Sequence, residues 1–398
     1  MITKVRFFDD NSLFLVKTTE YFGTLHNNLI ISTSNYSPWR GGPTIRFGVM
    51  QDIRKLKTDQ IKVWLSENGE QGFRAKQISE WLWKKSARNF DEMTNLSLKT
   101  RELLKENFEI RAVSVLKKQV SNDRTIKSGF RLFDGNLVEG VLIPADDRMT
   151  ACVSSQVGCS LTCKFCATGY MARKRNLDAA EIYDQVILIK QQAEEHYQQP
   201  LTNIVYMGMG EPLLNYAGLI ESVNYITSPE GLNWSPKRIT VSTAGIAKMI
   251  QKLGDDGVKF NLALSLHAAN DVKRNEIMPI NESNTLQNLA TALNYFYKKT
   301  GNRITFEYIV FNDFNDTLQD AKELWEFTKK VPAKVNIIEY NPIAEADYVN
   351  TSEDKLTKFA KFLEDKGVVV NIRRSRGKDI DAACGQLAIK EPQVEMSN

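Results

Sequence analysis

Of the five cysteines in this chain, four fall between positions 152 and 166, and the last three of these, Cys159, Cys163 and Cys166, spell C-x3-C-x2-C in the string CSLTCKFC. Three thiolates can hold three irons of a cubane 4Fe–4S cluster and leave the fourth iron without a protein ligand, a vacancy where chemistry can occur. Structural zinc takes four protein ligands, commonly in C-x2-C pairs, and no second such pair exists in the sequence, so zinc is the weaker reading. Phe165 and the small residues Ala167, Thr168 and Gly169 flank the motif, where they can shield a cluster and let backbone approach it. The fifth cysteine, Cys384 in DIDAACGQL, stands far from the others. A lone cysteine is usually a small buried hydrophobe, and spacing alone gives this one no role.

The elements that position such a loop are legible as a pattern. From about 149 to 372 the β-type runs ACVSSQ, NIVYMGMG, RITVSTAG, FNLALSLH, RITFEYIVF, KVNIIEYNP and VVVNIRR alternate with helical stretches, which implies parallel strands joined by helical crossovers. With about six core strands, the expected fold is α/β, a partial (β/α)6 barrel and not a full eight-stranded one. Functional residues of such barrels gather where strands end. Here the cysteine loop follows the first strand, Gly208, Gly210 and Glu211 the second, Ser242 and Thr243 the third, Ser265 and His267 the fourth, and Asn341 the sixth.

Residues 1–49 carry Asn, Ser and Thr clusters and no motif, and are expected to be a flexible extension; helical periodicity starts after Met50, which makes Met50 a candidate native start. Residues 50–110 read as a helical accessory domain with one break near Gly69 and Gly72, and residues 111–148 as a small β-hairpin region with turns at SND and DGN. The barrel is assigned to 149–376, and 377–398 to a C-terminal segment that carries Cys384 and frays after Lys390.

With 398 residues, 42% hydrophobic and 25% charged, the chain can bury a full core and carry two or three modules. It lacks both an apolar run of about 18 residues and a secretory leader pattern, so a cytoplasmic protein without a membrane span is expected. A net charge of +4 on 52 basic and 48 acidic residues does not by itself indicate a polyanionic partner. Local clusters at Lys84 and Lys85, Lys117 and Lys118, Arg173 to Arg175, and Arg373, Arg374, Arg376 and Lys378 form a phosphate-reading surface if they converge in space.

The cysteine motif and its flanks resemble the radical S-adenosylmethionine (SAM) superfamily, whose open iron chelates the amino and carboxylate groups of SAM. The longer strings CVSSQVGCSLTCKFCATG, GMGEPLLN, VSTAG, SLHAAND, EYNP and RGKDIDAACGQL resemble the RlmN type of radical-SAM methyltransferase over about residues 52–390. That resemblance implies methylation at C2 of an adenosine in 23S rRNA, in the peptidyl-transferase region, and in tRNA beside the anticodon. It implies Cys159, Cys163 and Cys166 as cluster ligands, and Gly210, Glu211, Ser242, Ser265, Leu266, His267 and Asn341 as SAM-binding residues. Cys384 becomes the S-methylated cysteine, Cys152 its redox partner and Glu139 the proton acceptor. Without the resemblance, Glu139 reads as an exposed strand carboxylate.

In the implied reaction Cys384 takes a methyl group from one SAM, a second SAM gives the radical that activates that methyl group, and the carbon adds to the base. Glu139 then removes a proton, and Cys152 releases the product by forming a disulfide. The implied partners are 23S rRNA, tRNA and an electron donor such as flavodoxin or ferredoxin with its reductase, and a monomer is expected. Trp81, Trp83 and Lys84 and the strip Arg373 to Lys378 are the candidates for RNA contact, although Trp81 lies on an apolar stripe with Ile78 and Leu82. The alternatives are the related Cfr type, which methylates adenosine at C8, and a non-catalytic metal-binding RNA module.

Overall fold

The structure is a computed structural model that describes residues 50–389, besides a short antiparallel pairing of Leu13–Phe14 with Ile31–Ser32. The expectations of a flexible 1–49 extension, and of a tail frayed after Lys390, lie outside the described residues. Among the described residues, no helix is long and apolar enough to cross a membrane.

Three helices open the described chain, α1 (Thr58–Glu67), α2 (Arg74–Trp83) and α3 (Leu98–Asn107). The sequence pattern shows only the glycine break between α1 and α2; a second break, without glycine, follows α2, where 84–97 holds a single 3-10 turn, Phe90–Glu92, capped by the Asn89 side chain. Arg54 ties this region to the rest. Its side chain is buried against Asp52 and, through two 2.9 Å bonds, against Asp184, which also accepts from the Val113 N–H at 2.9 Å. A buried guanidinium is tolerated because carboxylates flank it on both sides.

Ten strands then form one sheet whose spatial order is their sequence order. The first four, β1 (Ser114–Val120), β2 (Ile126–Arg131), β3 (Leu137–Ala145) and β4 (Arg148–Cys152), are an antiparallel meander. The 111–148 strands are thus continuous with the barrel sheet. From β4 onward pairing is parallel, through β5 (Asn203–Tyr206), β6 (Ile239–Thr243), β7 (Asn261–Ser265), β8 (Ile304–Val310), β9 (Ala333–Glu339) and β10 (Val370–Arg373).

Helices α4 (Ala179–Tyr197), α5 (Tyr216–Thr227), α6 (Ala247–Asp255), α7 (Asp271–Ile277), α8 (Leu286–Thr300), α9 (Leu318–Thr328) and α10 (Glu353–Asp365) make the crossovers. Asp178 starts α4 with a reciprocal capping box to Glu181, and Gly301 stops α8 in the left-handed conformation, φ +65°. The central β8, ITFEYIV, is buried at every position, as a parallel strand covered on both faces must be. The seventh parallel strand, β10, is largely exposed at the sheet edge. The strip it leads into therefore bounds the open side of the barrel.

Candidate active site

The cysteine loop leaves the C-terminal end of β4 and is fastened at its base, where Gln156–Val157 pair antiparallel with Arg175–Asn176. Gly158 has φ +74°, and a Cβ there would lie 2.3 Å from the Ala172 carbonyl oxygen. Gly169 packs so tightly that a Cβ would lie 2.7 Å from the Cys163 carbonyl oxygen, and its N–H donates to the Cys166 carbonyl at 2.8 Å. The C-terminal segment closes over the same loop, with the Ala167 N–H donating to the Gly385 carbonyl at 2.7 Å.

Cys159, Cys163 and Cys166 all line one cavity of about 900 Å³, its open mouth included. Burial pushes the Cys159 thiol up to about 11 and raises the thiols of Cys163 and Cys166 as well. Binding metal there must therefore release protons. Among the described residues no three Cys, His, Asp or Glu side chains converge as donors to a single ion. A cubane spreads its irons over separate corners, one thiolate to each, and the loop's spaced thiols, close glycines and shielding Phe165 fit that group.

The strand ends complete the cavity wall. Gly210 has φ +93°, and a Cβ there would lie 2.4 Å from that of Gln156, whose Oε1 accepts from the Glu211 N–H at 2.9 Å. Glu211 is buried, and its carboxyl accepts from the N–H groups of Leu213 at 3.0 Å and Ala244 at 2.8 Å. Burial raises it to about 7 against the pull of those donors. Ser242 and Ser265 face each other at 3.2 Å. His267 holds a left-handed backbone, φ +54°, and its Nδ1 accepts from the Ile309 N–H at 3.1 Å, so Nε2 carries the proton of a neutral ring. Burial, with Arg274 nearby, lowers its pKa to about 3.

Of the seven residues predicted to bind SAM, Gly210, Glu211, Ser242, Ser265 and His267 line this cavity. Leu266 does not: its side chain is wholly buried in the core, and its carbonyl accepts from Arg274 Nε at 3.0 Å. Asn341 also stands behind the wall, donating from Nδ2 to the Cys384 carbonyl at 3.1 Å, while its buried Oδ1 has no hydrogen-bond partner.

A second cavity, of about 530 Å³, adjoins the first and shares Met207, Ile338, Arg373 and Cys384 with it. Cys152 lines only this second space, so the structure brings both predicted redox cysteines to one chamber and Cys384 to the partition. Burial and the neighbouring Cys384 raise the Cys152 thiol, with Arg373 opposing. Cys384 is exposed where it opens onto the cavities, and the protein packed around it raises its thiol, again against Arg373. Glu139 lines neither cavity. It is buried in β3, not exposed as a strand pattern alone implies. Its Oε2 accepts from the Ala388 N–H at 3.0 Å and its Oε1 pairs with Lys127 at 3.5 Å.

One predicted RNA contact, Trp83, is corrected, while Trp81 packs on the apolar stripe seen in the sequence. Trp83 is buried, stacked at 3.5 Å on Tyr225, because the last turn of α2 packs on α4 and α5. Trp81 packs partly buried against the core with Lys85 over its ring at 3.9 Å; Lys84 is exposed. Two site residues escape sequence reasoning. Glu307 reaches the first cavity from β8, its one signal being an acid inside an apolar run. Arg274 is wholly buried and bonds the carbonyls of Ala244, Ser265 and Leu266, with no local signal at all.

A three-thiol loop at the C-terminal rim of a parallel half-barrel defines a radical-SAM enzyme, and the Radical SAM superfamily model matches residues 153–324. A crystal structure of a radical SAM methyltransferase from Sphaerobacter thermophilus superimposes with a TM-score of 0.81 at 37% identity, covering 85% of this chain and 100% of that one. Residues 51–110 match the family described as ribosomal RNA large subunit methyltransferase N-terminal domain. The chain is 68% identical to a protein of Cytophaga hutchinsonii over 85% of its own length and 93% of the relative's, and 52% identical to one of Flavobacterium johnsoniae over 86% and 99%. Both relatives bear the name "Probable dual-specificity RNA methyltransferase RlmN". The chain belongs to the RlmN family of radical-SAM RNA methyltransferases.

Proposed function

We propose that this enzyme methylates C2 of an adenosine in 23S rRNA, in the peptidyl-transferase region, and in tRNA beside the anticodon. The observation that carries the reading is Cys384 on the partition between two cavities, with the three cluster thiols on one side and Cys152 on the other. A carbon carrier must meet its donor and its acceptor in turn, and that position allows both.

Cys159, Cys163 and Cys166 would hold a 4Fe–4S cluster, which would supply one electron for cleavage of SAM, and two SAM molecules would be used per turnover, one for the methyl group and one for the hydrogen-abstracting radical. Gly210, Glu211, Ser242, Ser265 and His267 bind SAM, with Leu266 and Asn341 shaping the wall behind. Glu211 presents a buried carboxyl to the cationic end of that ligand. His267, neutral and donating from Nε2, adds a hydrogen bond without adding charge.

The Cys384 sulfur displaces the methyl group from the SAM sulfonium and later delivers that carbon to the base. Glu139 accepts the C2 proton, and the one electron lost from the ring would return to the cluster that had given one up. Cys152 then attacks the Cys384 sulfur: the S–S bond forms, the S–C bond breaks, and the carbon left on the base takes up a proton. Glu139 lines neither cavity and is covered by the segment after Cys384, whose Ala388 N–H donates to its Oε2, so that segment has to shift for the base to reach it. A flavodoxin or ferredoxin with its reductase supplies the electrons, and the enzyme works as a monomer in the cytoplasm.

The test is to map the methyl carbon by NMR or mass spectrometry in RNA treated with the reconstituted enzyme. Methyl at C2 is expected. Methyl at C8 alone moves the chain to the Cfr type, and failure to cleave SAM under reducing conditions overturns the catalytic reading.

A further inference from the structure

The strip that begins at Arg373, the last residue of β10, holds four cations, and the fold sorts them. Arg373 turns inward, where its guanidinium lies 3.4 Å from Glu307, itself fixed by Asn336 at 2.8 Å. Arg374 pairs with Glu353 and, at 2.7 Å, with Glu339. Lys378 also pairs with Glu339 at 2.7 Å. Arg376 is the exception. Like Arg373 and Arg374 it is exposed and lines the second cavity with Cys152 and Cys384, but among the described residues no carboxylate pairs with it.

The backbone on either side of Arg376 is pinned. The Ser375 N–H donates to Glu339 at 3.1 Å, and the Gly377 N–H donates to Asp123 at 2.8 Å. Gly377 sits at φ +68° with no room for a side chain, since a Cβ would lie 2.7 Å from that of Ala382 and 2.9 Å from Thr125. A long cation on a fixed stem therefore stands at the mouth of the chamber that holds both redox thiols. A fixed stem reduces the ordering cost of an anion contact.

We propose that Arg376 takes a phosphate of the RNA substrate at the mouth of the second cavity, holding the backbone of the nucleotide whose base enters towards Cys384. This rests on the reading of the enzyme as an RNA methyltransferase. Arg374 and Lys378 shape the strap but do not read phosphate, because their charges are already met.

Full-length holoenzyme binding to a short RNA hairpin with an adenosine in its loop, measured across a salt series, tests it. Each phosphate contact adds about 0.7 to 0.9 to the slope of log affinity against log salt. Arg376→Ala is expected to lower the slope by that amount, Arg376→Lys to keep it, and Lys378→Ala to leave it at the wild-type value. An unchanged slope in Arg376→Ala, or an equal loss in Lys378→Ala, overturns the assignment. Failure of the wild-type enzyme to bind the hairpin strikes the RNA reading itself, a distinguishable result.

Discussion

The thiols of Cys152 and Cys384 line the same chamber, near enough that charge on Cys384 makes Cys152 harder to ionise. Burial is the larger cause of that shift and remains when Cys384 is methylated, so the two cysteines differ in role by position: Cys384 borders both cavities and Cys152 only the second. Cys152→Ala should load Cys384 and join it to RNA, then stall, giving a covalent protein–RNA adduct visible as a shifted band under denaturing conditions. Free methylated RNA at the wild-type rate contradicts the role given to Cys152.

Glu211 and His267 make opposing contributions to stability against pH in the metal-free chain. Glu211 is raised from 4.5 to about 7, so the folded state keeps a proton the unfolded state loses; its stabilisation is full below pH 4.5 and is lost as pH rises to about 7. His267 is lowered from 6.5 to about 3, so the unfolded state binds the extra proton; its contribution is full above pH 6.5 and is lost as pH falls towards 3. Between 4.5 and 6.5 the two slopes cancel. Relative to the wild-type profile, urea unfolding of Glu211→Gln should then show stability falling with acid by about 1.4 kcal/mol per pH unit over this window, and His267→Asn should show stability falling with base. Asn suits the left-handed backbone there. Profiles parallel to the wild type in both variants rule out these ionisations.

Trp83→Ala separates the structural role of this residue from RNA contact. Removing a buried, stacked indole costs about 3–5 kcal/mol, while RNA affinity of the folded fraction stays at the wild-type level. A stable variant with weakened RNA binding returns Trp83 to the interface.

The sequence pattern and the fold agree wherever the signal is local. The C-x3-C-x2-C spacing, Gly210 beside Glu211, and the alternation from β4 to β10 are set within a few residues, so they survive being read one stretch at a time. Trp83 reads as surface from its own stretch because its partner, Tyr225, belongs to another helix. The fate of the Arg373 to Lys378 strip is decided by Glu307 and Glu339, on other strands of the sheet. The placement of Cys384 beside Cys152 likewise depends on closure of the C-terminal segment over the cysteine loop.

Arg274 is the strongest case of a residue that no sequence pattern exposes, and it carries the last prediction. On a short helix it reads as a solvated cation, yet it is wholly buried, and burial lowers its pKa to about 10. Its guanidinium donates in separate directions, to the carbonyls of Leu266 at 3.0 Å, Ala244 at 2.6 Å and Ser265 at 3.1 Å, and to Asn281 at 2.6 Å. It thereby clamps the ends of β6 and β7, which present Ser242, Ser265 and His267 to the cavity. Lysine offers donors from one nitrogen and cannot span these acceptors. Arg274→Lys should therefore lose about 3 kcal/mol or more of stability, each stranded acceptor costing about 1–3 kcal/mol, and the folded holoenzyme should bind SAM more weakly, by titration calorimetry, because its strand ends are released. Wild-type stability together with wild-type SAM affinity in Arg274→Lys removes the clamp from this account.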